Sequence, residues 1–282
     1  MTDFIIKLII SIALLGVPAL ASAEISQGTA DRLMRTSGLW SQLTDVSKSV
    51  LNGIDQSPMR SRLSAEDASR LERAADSAFS AARMRQRVGK AIAQKLSDQE
   101  ASEIAAWYAG ATGQMLTGLE EAYSASITGS GLAEVLAEGN AALENASQNR
   151  QILISRLITA TRAAEFQVDA IKHVTMGTMQ GMESALNVGA SAPTAQLQRH
   201  FETQRPAMVA SAKGVHSAIS AAIYATVTDQ ELEQYVEFLS TPSGRQFTAV
   251  FMEAIDIAFS HAAQEFGKAI VPKAKAKSKV TG

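Results

Sequence analysis

The chain has 282 residues, no cysteine and a formal net charge of −2. Without thiols it has no disulfides, no cysteine nucleophile, no cysteine-held zinc and no iron–sulfur cluster. A near-neutral balance without a broad basic stripe argues against a nucleic-acid partner. Alanine and leucine dominate, proline is sparse, and no run alternates β-branched with polar residues, so the expected fold class is all-α. The expected architecture is a multi-helix bundle built from two related helical halves, residues 24–146 and 147–271, each closed by a capped helix–turn–helix hairpin.

Met1–Ala23 reads as a secretory signal. Lys7 lies in a short leading region, Leu8–Leu20 is apolar, and Ala21-Ser22-Ala23 is a small-x-small cleavage site before Glu24. The apolar run is shorter than the roughly 20 residues a membrane span needs. A periplasmic chain cleaved after Ala23 is therefore expected. One helix is expected over residues 24–54, with Leu33, Leu39, Trp40, Leu43, Val46, Val50 and Leu51 on its apolar face. Ser57-Pro58 is a turn. A second helix, residues 64–94, opens on a Ser64 cap and carries Arg83, Arg85, Arg87 and Lys90 late, where positive charge suits the helix dipole. That cluster reads as a solvated face, with an anionic partner as the alternative.

The first hairpin covers residues 96–123. Thr128-Gly129-Ser130-Gly131 follows as a flexible spot, then a short helix over 132–146 interrupted at Gly139-Asn140. A long helix is expected over 150–186, a loop over 187–193, and a helix over 194–225 kinked at Pro206. The second hairpin covers residues 227–259, and its last helix extends to about Ile270. Residues 272–282 hold four lysines among small residues and nothing to bury, so disorder is expected.

The two hairpins align without a gap at a constant offset of 131 residues. Ser97, Asp98 and Glu100 fall on Thr228, Asp229 and Glu231, which spells a capping box at each start. Trp107 falls on Phe238, Gly113 on Gly244 and Leu116 on Phe247. At the break of the second hairpin Thr241 caps a helix that starts on Pro242. The first hairpin has Gly110 and Ala111 there. Gly113 and Gly244 read as sites of close backbone approach. A phosphate-binding role would want a preceding strand and a following lysine, and neither is present.

Asp229, Glu231, Phe238, Ser240, Thr241, Pro242, Gly244 and Phe247 together spell an acidic capped helix, an aromatic pair, S/T-P-x-G and an apolar helix. This pattern resembles the domain-of-unknown-function 2059 family, helical domains of bacterial exported proteins. The first hairpin departs from it at Gly110 and Ala111. The resemblance implies fold and compartment, and it transfers no catalytic residue.

Chemistry is sparse. Asp169 and His173 sit four apart on one helix, as do His261 and Glu265. Either pair could give two metal ligands on one face. Without a third ligand, an i,i+4 hydrogen bond is the simpler reading of both. Glu120 and Glu121 would point about 100° apart on a helix and so read as surface charges rather than a shared catalytic pair. Met176, Met179 and Met182, with Gly177 and Gly181, suggest either an adaptable groove for a lipid tail or partner helix, or one tight helix crossing. The leading expectation is a non-catalytic binding or interaction module of the cell envelope, without a cofactor, taking a protein partner or a lipid-like ligand. The alternatives are a hydrolase or metal-dependent enzyme using His173 or His261, and a membrane-surface protein using Lys273, Lys275, Lys277 and Lys279.

Overall fold

The computed structural model describes residues 24–44, 63–127, 131–189 and 191–271. The expected signal peptide, the Ser57-Pro58 turn and the lysine tail lie outside the described residues. The described residues form helices and contain no strand. The helices are α1 (Gln27–Thr36), α2 (Ala65–Ala78), α3 (Ala81–Lys95), α4 (Asp98–Ala109), α5 (Ala111–Ile127), α6 (Leu132–Glu144), α7 (Gln148–Thr161), α8 (Ala163–Ala185), α9 (Ala192–Ile223), α10 (Asp229–Ser240) and α11 (Pro242–Ile270), with a further helical stretch at residues 39–44.

Hydroxyl caps set many of the starts. Ser26, Ser64, Ser97, Ser147, Ser191, Thr228 and Thr241 each accept from the backbone N–H three residues on. Both expected capping boxes form. Ser97 N donates to Glu100 Oε2 at 2.9 Å, and Thr228 N donates to Glu231 Oε2 at 2.9 Å.

Several expected helices are divided. The one over residues 24–54 stops at Thr36, because Gly38 takes φ +76° before the chain becomes helical again at residue 39. The one over 64–94 breaks at Phe79-Ser80. Breaking there buries the Phe79 ring against Phe259 and Phe266, at centroid distances of 6.4 and 6.1 Å. The one over 150–186 breaks at Arg162, which sits in the left-handed region at φ 53°. Conversely, α6 runs unbroken through Gly139. A Cβ there would lie 1.8 Å from the Ala218 carbonyl oxygen, so this glycine marks a close crossing with α9 rather than a break. Helix α9 starts earlier than expected, at Ala192, and runs through Pro206 as one helix.

Helix α11 is the axle of the bundle, packed against α2, α3, α4, α8 and α10. Ala254, Ala258, Ala262 and Ala263 are fully buried along it, and their small side chains let its neighbours come close. Gly177 and Gly181 of α8 abut it at Ala263 and Gln264. One hydrophobic cluster runs from Ile25 through Phe259 to Ala263, drawing residues from α1, α2, α3, α4, α5, α7, α9, α10 and α11.

The two hairpins meet face to face. Trp107 stacks on Phe238 at 4.7 Å and on Tyr235 at 6.2 Å. Thr112 Oγ1 donates to Gln234 Oε1 at 2.9 Å, and Ser243 Oγ donates to Glu103 Oε2. Those two bonds are each other's counterparts at the 131-residue offset, the reciprocal pattern of an isologous contact. The breaks also match. Gly110 (φ −70°, ψ 159°) and Thr241 (φ −67°, ψ 161°) turn the chain alike, with or without proline.

Candidate functional site

Beside this seam lies an apolar cavity of about 470 Å³, bounded by residues 37–43 and by α4, α5, α7, α8, α9, α10 and α11. Its walls include Leu43, Leu157, Ile158, Phe166, Ile219, Phe247, Phe251 and Ile255. Size and lining are those of a small-molecule site, mostly apolar with a few convergent polar groups.

Those polar groups gather around Glu120. Tyr224 Oη donates to Glu120 Oε1 at 2.5 Å, and Tyr235 Oη donates to the same oxygen at 3.2 Å. Tyr108, Tyr224 and Tyr235 are all buried, and the rings of Tyr224 and Tyr235 meet edge to face at 6.5 Å. The fold holds each of them firmly. Glu120 lies one turn after the buried Leu116 on α5, so its carboxyl enters the interior. Tyr224 ends α9, and its carbonyl accepts from Arg150, whose other nitrogen binds Asp229 Oδ1 at 3.0 Å. Arg150 thus ties α7 to the corner between α9 and α10. Tyr235 is fixed on α10 by its stack with Trp107.

Burial pushes the Glu120 carboxyl above the usual carboxylate range, and the charge of Glu121 adds to the rise. The two phenol bonds pull the other way without cancelling it. Burial likewise pushes the phenols of Tyr108, Tyr224 and Tyr235 up, with Glu120 reinforcing the effect on each. His216, on the same cavity wall, is held below the usual imidazole value by burial. Its Nε2 and the Ser37 Oγ are buried without a hydrogen-bond partner among the described residues, and both residues line the cavity. Orphaned polar atoms of this kind ask for an occupant or ordered water.

The expected surface role of Glu120 and Glu121 is corrected by this geometry. Glu120 supplies the polar end of the cavity, and Glu121 Oε1 accepts from Ser41 Oγ at 2.8 Å. The expected i,i+4 pairs are corrected too. Asp169 is held by Arg205 through two bonds of 2.9 and 2.8 Å, and His173 faces Asp256 of α11 at 3.1 Å. Asp256 holds His173 above the usual imidazole value. Glu265 pairs with Arg83 and Arg87 instead of His261, which is exposed. The basic cluster of α3 is therefore only partly a solvated face. Its Arg85 lies over the Trp40 ring at 4.4 Å and donates to the Trp40 carbonyl. Among the described residues no three His, Asp or Glu side chains gather as metal ligands would.

The hairpin motif residues are mostly structural. Asp98, Glu100, Asp229 and Glu231 sit in the first turns of α4 and α10. Thr241 caps α11, where it accepts from Gly244 N at 3.0 Å, and Pro242 is the first residue of that helix. A Cβ on Gly113 would lie 2.3 Å from the Trp107 carbonyl oxygen, and one on Gly244 2.1 Å from that of Phe238. Phe247 alone of this set lines the cavity, with its ring edge-on to Tyr108 at 5.9 Å. Met176 is buried, Met179 is half-buried and Met182 is exposed, and none of them belongs to the cavity wall. Tyr224 and His216 are residues that the sequence reading did not single out, and Glu120 is one that it set on the surface. The available signal was the 131-residue offset, which sets Glu120 against the apolar Phe251, Tyr224 against Ala93 and His216 against Arg85. No family model matches the chain, nor does any curated protein or solved structure.

Proposed function

We propose that this chain is an exported, periplasmic binding protein, built by duplication of a helical half, whose cavity holds a small ligand with an apolar body and one polar end. The observation that carries the reading is the cavity of about 470 Å³ with a polar cluster at Glu120, Tyr224 and Tyr235. The partnerless Ser37 Oγ and His216 Nε2 support it, because an occupant would satisfy them. Export rests on the Met1–Ala23 pattern and on the hairpin's resemblance to exported helical domains. Duplication is supported by the reciprocal bonds of the hairpins and their matched breaks. A binding role is favoured over catalysis because the polar cluster offers a carboxyl and phenols but no paired nucleophile and base.

Native mass spectrometry of the protein purified gently from its own host tests this. The expected result is a discrete added mass that is absent from an Ile219→Trp variant, where the indole fills the cavity. A clean apo mass in the wild-type protein, with no small apolar compound taken up on titration, would overturn it.

A further inference from the structure

The cavity has a charge imbalance. Among the described residues that line it, Glu120 is the one acidic side chain, and there is no lysine or arginine. Its nearest polar neighbours, Tyr224 and Tyr235, both donate to Oε1, and among the described residues no hydrogen bond reaches Oε2. Burial favours the protonated form of this carboxyl, and a cation in the cavity would favour the ionised form instead, because a buried charge is stabilised by a close, hydrogen-bonded partner. Asp169, by contrast, is held by Arg205 through two bonds. The three tyrosines add electron-rich rings around the same point, and aromatic rings beside a carboxylate are a recognition set for ammonium groups.

Resting on the ligand-binding reading above, we infer that the ligand is an organic cation: a primary or substituted amine on an apolar body, with its ammonium group bound to Glu120 Oε2 and its body lying along Phe166, Ile219, Phe251 and Ile255. The amine supplies the missing counter-charge. Tyr224 and Tyr235 hold the carboxylate from the opposite side, so one oxygen is committed to the protein and the other to the ligand. His216 lines the same cavity, and burial holds its pKa down. An alcohol of the same length would make one neutral hydrogen bond in its place. A carboxylate of the same length would meet Glu120 as a like charge, or would need a proton taken up to avoid it.

The test is a matched series, decylamine, decanol and decanoate, titrated calorimetrically into the wild-type protein, into Glu120→Gln and into Ile219→Trp. Circular dichroism checks the folding of each variant. On the wild-type protein the amine is expected to bind at least about tenfold tighter than the alcohol, since a charge-assisted bond is roughly twice as strong as a neutral one. Decanoate is expected to bind weakest. In Glu120→Gln the amine advantage is expected to vanish while decanol binding persists. Should that variant fail to fold, the amine-to-alcohol ratio on the wild-type protein alone decides. Equal binding of all three, or tightest binding of decanoate, overturns the cation inference and leaves the cavity reading standing if Ile219→Trp abolishes that binding. No binding of any of the three removes both.

Discussion

Along the seam between the hairpins, positions 131 apart are alike and touch one another. Trp107 lies on Phe238, and the bond from Thr112 to Gln234 mirrors the bond from Ser243 to Glu103. On the cavity side the same offset joins unlike residues: Glu120 with Phe251, Tyr235 with Ile104 and Tyr224 with Ala93. The seam is closed by aromatic stacking and the cavity is open; among the described residues Trp107 Nε1 at the seam and Ser37 Oγ and His216 Nε2 at the cavity are buried without a hydrogen-bond partner. One scaffold therefore supports two kinds of surface. Where the two hairpins agree, the residues hold the fold. Where they differ, Glu120 and Tyr235 give the cavity its polar end.

Two phenylalanines give this contrast its largest expected effect. Phe238→Ala removes the stack with Trp107 and the edge contact with Tyr108, at 4.7 and 5.7 Å, from a filled seam. Its expected cost is about 3–5 kcal/mol of unfolding free energy. Phe251→Ala removes a half-buried ring that already borders open space. Its expected cost is about 2 kcal/mol, because fewer contacts are lost. Urea denaturation followed by circular dichroism gives both numbers. Equal losses would mean that the cavity wall is packed as tightly as the seam, and the contrast would fail.

The two regions also differ in how stability responds to pH, and Glu120 exposes this. Its carboxyl pKa is raised in the folded protein, so between the ordinary carboxylate value and the folded value the native state keeps a proton that the unfolded chain has released. The contribution is fully present below the ordinary value and is lost as pH rises through the folded one. Tyr108, Tyr224, Tyr235 and Glu121 are the titratable groups around it, and the phenols are pushed too high to titrate in that range. Glu120→Gln should therefore flatten the decline of the urea midpoint from acidic toward neutral pH. His216 has the opposite sign. Its lowered pKa gives stability that is present above the ordinary imidazole value and lost as pH falls through the folded one, and His216→Phe should remove that loss. At the seam, Glu103 carries a shift opposite to that of Glu120, because its bond from Ser243 holds its carboxyl below the usual range. A pH profile unchanged in both variants would place these side chains in water.

The sequence carried each hairpin well because its signals are local, whereas the meeting of the two hairpins is a long-range contact that no local pattern spells. A hydroxyl followed three residues later by glutamate spells a capping box wherever it occurs, and both boxes form. Proline at 242 marked a break, and the 131-residue offset correctly placed a matching break at Gly110. The cavity is made of long-range meetings, and no local pattern spells them. Glu120 reaches Tyr224 across 104 residues and Tyr235 across 115. A glutamate beside a second glutamate reads as surface until the tyrosines that cover it are known. The divided helices were hidden for a related reason. Phe79 ends α2 in order to bury its ring against α11, and Arg162 ends α7 with no glycine or proline to announce it.

The smallest expected effect concerns those divided helices at the cavity's corners. At the seam the chain turns at Gly110 and Thr241 with ordinary negative φ. At the cavity it turns through the left-handed region, at Gly38 (φ 76°) and at Arg162 (φ 53°), and Ser37, Leu39, Thr161 and Ala163 beside them line the wall. For an L-residue with a side chain that conformation costs roughly 1–2 kcal/mol, and glycine adopts it freely. Arg162 is exposed, so its side chain offers little burial to offset the strain. Arg162→Gly relieves that strain but also loosens the unfolded chain, which returns about 0.4–1 kcal/mol. The expected outcome is a net stabilisation of at most about 1 kcal/mol. Gly38→Ala runs the same experiment in reverse. It puts a Cβ into the left-handed region and within 3.1 Å of Thr117 Cγ2, so it should destabilise by about 1–2 kcal/mol. Opposite signs in the two variants, read from urea midpoints, would locate backbone strain at the cavity's corners and not at the seam. A loss of stability in Arg162→Gly would mean that the arginine side chain contributes more to that corner than its exposed position allows.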